Sequence, residues 1–86
     1  MTTSYVIKLL SPEIALSTAN TVSNSRCVRI LETGTGNALI THKDAGGNTI
    51  ATVTMRQGTD LYLRKEMTDT LSSNSATTVA VAISAW

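Results

Sequence analysis

The side chains able to do chemistry in this chain are few, and their spacing keeps them apart. His42 is the single histidine, so any Ser-His-Asp or Cys-His arrangement must use it. A histidine base needs a nucleophile and an orienting partner within hydrogen-bond reach, roughly 3 Å. No spacing around His42 implies either. It stands beside Lys43 just before a turn and is read as a surface strand residue. Cys27 lies between Arg26 and Arg29. Nearby guanidinium groups lower a thiol pKa, but on a strand the two arginines do not both point toward it, and the reading is a small apolar filler. Glu13, Glu32, Asp44, Asp60, Glu66 and Asp69 fall one to a turn or strand end. Paired acids can hydrolyse a glycoside even when distant in sequence, yet no aromatic platform for a sugar accompanies these. Gly34-Thr35-Gly36 has no third glycine and no Gly-Lys-Ser/Thr, so it is a turn rather than a phosphate loop. Residues 44–48 offer two oxygen side chains, short of the ligand count of a calcium loop. These readings predict no catalytic, cofactor or metal residues, and no enzyme.

Size and composition set further bounds. A chain of 86 residues is a single domain spanning residues 1–86. Such a chain buries only about 60% of the surface it exposes when unfolded, near the lower limit for a self-sufficient core. A lone cysteine excludes an intramolecular disulfide, and no Cys/His cluster offers a structural metal. Oligomerisation is the support that remains. A net charge of +1, with Tyr5, Tyr62 and Trp86 as the dispersed aromatics, argues against nucleic acid as partner. No apolar run reaches the ~20 residues of a membrane-spanning helix. Lys8 within the first apolar patch, and Pro12-Glu13 after it, argue against a secretory signal. The expected site of synthesis is the cytoplasm.

The elements that would position these residues read as strands. Threonine is the commonest uncharged polar residue, and Thr, Val and Ile dominate the interior segments, as β-branched side chains do on a pleated surface. In residues 26–32, Val28 and Ile30 share one face while Cys27, Arg29 and Leu31 share the other. Leu61 and Leu63 alternate with Tyr62 and Arg64, and Val79, Val81 and Ile83 alternate with Ala80, Ala82 and Ser84. Such alternation marks half-buried strands. Between residues 38–43 and 49–55, the two glycines of residues 44–48 supply the positive φ of a hairpin. With residues 5–10 and 14–18, six or seven short strands emerge. The prediction is an all-β fold, a small antiparallel β-sandwich or jelly-roll-like barrel. Residues 67–75 form the longest break, a crossing connection with one helical turn from Thr68.

The C-terminus has its own character. Residues 70–86 contain no charged side chain, and residues 76–86 form a strand candidate without proline. A bare strand of that kind pairs with any neighbour it meets. It is therefore central in its own sheet or covered by another protein. The second option makes Arg26, Arg29, Val79, Val81, Ile83 and Trp86 the candidate interface, with Trp86 as an anchor of the type enriched at interfaces.

The phrases at residues 27–34, 44–54, 65–71 and 79–85 resemble small virion proteins of tailed phages, including those of cyanobacterial hosts. The resemblance implies a capsid decoration (cement) protein that binds the outer shell as an oligomer, a trimer among the options, and stabilises it. Its partners would be the major capsid protein or other virion proteins, and its location the virion. Arg26, Arg29, Arg56, Arg64 and Lys65 would meet acidic capsid patches. A neck or tail adaptor, or a fibre-attachment piece, is the alternative. A carbohydrate- or ligand-binding β module ranks third, for want of an aromatic platform.

Overall fold

The apolar alternation is realised as strands. The computed structural model describes residues 7–85, and among them no helix occurs. The strands are β1 (Ile7–Leu9), β2 (Ile14–Ala15), β3 (Cys27–Glu32), β4 (Ala38–Lys43), β5 (Thr49–Met55), β6 (Asp60–Arg64), β7 (Thr70–Ser73) and β8 (Thr78–Ala85). The strand that sequence reasoning misses is β7. In place of the break and helical turn expected of residues 67–75, Thr70–Ser73 pairs with β4. Its one apolar residue, Leu71, is fully buried, and a single core contact in a Ser/Thr-rich stretch leaves no visible period.

Two antiparallel sheets face each other. The first runs β1-β8-β3-β6, with β2 also on β8, and the second runs β5-β4-β7. The β4–β5 hairpin stays within the second sheet, while the chain changes sheet between β3 and β4, β5 and β6, β6 and β7, and β7 and β8. This is the expected small β-sandwich. Period-two alternation then sorts the side chains. Val28 and Ile30 of β3 lie beside Ala82 and Ala80 of β8, and all four belong to the core with Leu16, Val22, Ala38, Ile40, Met55 and Leu71. The small residues of β8 thus admit the protein's own second sheet to close range.

β8 is flanked by β1 and β2 on one side and by β3 on the other. Of the two options for the uncharged strand, the structure takes the central one. β1 and β2 lie end to end along β8, separated by Leu10 to Glu13. Pro12 has no N–H to offer a ladder, and the Ser11 hydroxyl fills in, accepting from the Ala82 N–H at 3.0 Å. The chain then leaves the first sheet for the second. Leu16 donates to Thr78 at 3.0 Å and accepts from Ser73 at 2.7 Å, and Asn20 exchanges both backbone bonds with Leu71. Residues 14–20 are a strap that closes this side of the sandwich.

The strap ends in an unusual turn. Val22, Ser23 and Asn24 have φ of 52, 58 and 53°, three consecutive left-handed residues without a glycine. A β-branched residue there is a steric outlier. Val22 is held by the Asn20 side chain, which accepts from its N–H at 2.7 Å, and by Ser25, whose hydroxyl donates to its carbonyl at 2.7 Å. Its side chain is fully buried. The twist aims an apolar plug into the core.

The β4–β5 turn is close to expectation. The Asp44 carboxylate accepts from the N–H groups of Gly46 and Asn48, both at 2.9 Å. Of its two glycines only Gly47 uses positive φ, at 86°.

Candidate functional site

Three groups of polar residues are drawn inward. Glu32 closes one end of the sandwich and is fully buried, with no ion pair to it among the described residues. Thr77 donates to it at 2.8 Å, Thr78 at 2.9 Å and Ser75 at 3.3 Å. Burial pushes this carboxyl upward, but the three hydroxyls and the Gly34 N–H outweigh it and hold the group below its ordinary range. The cluster ties β3 to the β7–β8 turn. A Cβ on Gly34 would meet Thr77 Oγ1 directly, so the turn needs glycine for room.

The second group corrects the reading of His42. Instead of standing at the surface, its ring is half-buried, with Nε2 at 2.8 Å from Asp69 Oδ2. Asp69 also accepts from the Glu66 N–H at 3.2 Å. The orienting carboxylate that the spacing did not imply lies on the loop before β7, and the pair fastens that loop to β4.

The third group removes a residue from the expected basic surface. Lys65 is buried, with Nζ donating to the carbonyls of Ser25 at 2.7 Å, Glu66 at 3.1 Å and Met67 at 3.4 Å. Burial lowers its pKa and nearby Asp69 opposes the shift. Lys65 is a clamp on the left-handed turn and cannot meet a partner. Among the described residues every buried side-chain nitrogen and oxygen has a hydrogen-bond partner, and no three of His, Cys, Asp and Glu converge as a metal site.

The outward surfaces are different in kind. Arg29 pairs in register with Val81 and with Tyr62, and Leu31 with Val79 and Asp60. Alternation places all of these on the face of the first sheet that points away from the core. Four residues of the candidate interface, Arg29, Val79, Val81 and Ile83, thus share one face. Val81 and Ile83 are only 7% and 4% exposed, so a partner would meet mainly the rim. That rim includes Leu9 and Tyr62, 65% and 51% exposed, and the exposed Arg64. Arg29 is joined to Asp60 at 3.3 Å. At the end of the face a cleft of about 190 Å³ is lined by Cys27, Tyr62, Arg64 and Ile83, among others. Arg26 precedes β3 and is exposed. Trp86 lies outside the described residues.

On the side away from the strap, β5 and β6 are the terminal strands of their sheets. Between them opens a cleft of about 100 Å³ lined by Ile40, His42, Ala51, Thr52, Val53 and Leu63. Sequence reasoning did not single out β5, although its signal is the one noticed in residues 70–86: no charge lies between Asp44 and Arg56.

No family model matches the chain, and neither a curated protein nor a solved structure matches it.

Proposed function

We propose that this protein is a virion structural component, a capsid decoration protein that binds the outer shell as an oligomer and stabilises it. The observation that carries this reading is the outward face of the first sheet, where Arg29 stands between Val81 and Tyr62. Exposed Leu9 lies on that face beside Ile83. A broad sheet face combining aliphatic and aromatic rim residues with guanidinium groups suits an extended protein surface carrying apolar and acidic groups. The resemblance to tailed-phage virion proteins falls on β3, the turn after β4 with most of β5, the loop before β7 with the start of that strand, and β8, so it touches both sheets of the sandwich. Arg29 and Arg64 would meet acidic groups of the shell, with Leu9 and Tyr62 providing apolar contact.

The test is the copy number of the chain in purified particles, by quantitative mass spectrometry. Hundreds of copies per particle are expected of a shell component, because the shell repeats its binding site at every symmetry-related position. A count on the order of a dozen would assign it instead to a ring at the neck or tail. Absence from the particle would overturn the reading.

A further inference from the structure

We propose that β5 pairs edge to edge with the β5 of a second copy of this chain, antiparallel about Thr52, joining two three-stranded sheets into one of six. The pairing stands independently of the virion reading: a dimer absent from particles would refute that reading and leave this one intact.

The argument begins with what each sheet edge carries. A terminal strand offers a row of unpaired N–H and C=O groups, and proteins protect such rows with proline, charge, short length or a covering segment. The β1/β2 edge has Pro12, Lys8 and Glu13 and is broken in two. The β7 edge is covered by Leu16 and Asn20 of the strap. β6 carries Asp60 and Arg64 at its ends. β5 carries one irregularity, a register shift against β4 that leaves Ile50 outside the ladder between Thr49 and Ala51, but from Ala51 to Met55 its pairing is regular, and its seven residues Thr49–Met55 contain no charge and no proline, with all but Met55 exposed. Exposed Ile50 and Val53 are part of it, and exposed Leu39 is the cross-strand neighbour of Thr54. These are the residue types that favour strand pairing.

The sequence also fits itself. Antiparallel pairing about Thr52 sets Thr52 against its own copy and Ala51 against Val53 within the regular part of the strand, with Ile50, at the register shift, beside Thr54. It places Arg56 of one copy opposite Asn48 of the other. Asn48 lies across the hairpin from Asp44, whose carboxylate accepts from the Asn48 N–H at 2.9 Å. Each end of the pairing thus brings an arginine toward an aspartate, twice by symmetry, with Lys43, the partner of Thr49 across the hairpin, as the other charge in reach. An isologous contact of this type closes on itself and yields a dimer.

Sedimentation equilibrium of the purified chain should give twice the monomer mass. Thr52→Lys puts two ammonium groups face to face at the symmetry centre while leaving an exposed edge position that lysine readily occupies. It should be monomeric at concentrations where the unaltered chain is dimeric, with an unchanged circular dichroism spectrum. A second variant gives a positive signal. In an antiparallel pair directly opposed Cα atoms are about 4.5–5.5 Å apart, within disulfide range, so Thr52→Cys in a Cys27→Ser background should oxidise to a covalent dimer faster than Tyr62→Cys in the same background. A monomer at all concentrations would overturn the proposal. So would a Thr52→Lys variant that remains dimeric, or cross-linking that is faster through position 62 on β6.

Discussion

Glu32 shows how single positions hold this fold. A buried carboxylate with no cation nearby is normally costly, and here three hydroxyls and a backbone N–H supply its solvation. Gly34 leaves the space that lets Thr77 reach it. Gly34→Ala forces the turn apart, and the expected cost is about 1–3 kcal/mol by urea denaturation. The pH dependence has a definite sign. Because the folded state holds Glu32 below its usual value of 4.5, its contribution is present above that value and is lost as pH falls through the folded one. The stability gap between the unaltered chain and Glu32→Gln should therefore narrow on acidification below 4.5. Lys65 acts in the opposite range. Burial depresses its pKa, so the folded chain binds fewer protons there than the unfolded one. Relative to Lys65→Met, stability should rise with pH between neutrality and the usual lysine value of 10.5. A gap that does not change in that range would mean that the ammonium group is solvated as well inside as outside.

The strands and turns differ in how far the sequence disclosed them. The alternation in residues 26–32, 61–66 and 79–85 and the glycines of residues 44–48 predict β3, β6, β8 and the hairpin, because those signals are local. β7 was hidden, since its place depends on Leu71 reaching the core and on Asn20 pairing with it across the fold. The sequence leaves the centrality of β8 open for the same reason: an uncharged strand reads alike whether its neighbours come from its own chain or another. The His42–Asp69 pair spans 27 positions in sequence and has no spacing signature. Nor does any local rule predict a left-handed turn at Val22, where the preference of a β-branched residue is overridden by burial of its side chain. That turn gives its own prediction. Left-handed geometry costs a non-glycine residue about 1–2 kcal/mol, while glycine loses about 0.5–1 kcal/mol of chain entropy on ordering. Ser23→Gly, exposed and at φ 58°, should therefore stabilise the fold by roughly 0.5–1 kcal/mol, read as a higher urea midpoint.

The molecule as a whole is a sandwich with one side strapped and one side open. Residues 14–20 stitch β8 to β7 and seal the first side, while β5 and β6 leave the second as a cleft beside an unpaired edge. A chain of 86 residues with a single cysteine has little core to spare, and the open side is where a neighbour can add to it. The same economy accounts for the polar clusters: Glu32, Lys65 and the His42–Asp69 pair fasten loops within one copy of the chain. The central claim is that the chain is completed by its own copy at β5. Amide hydrogen exchange resolved by residue tests it most directly, because from Ala51 to Met55, where the ladder with β4 is regular, alternate N–H groups point toward β4 and toward the free edge. On raising the protein concentration, the outward-pointing amides between Ala51 and Thr54 should become protected while those facing β4 hardly change. Equal exchange of the outward-pointing amides at every concentration would contradict the account.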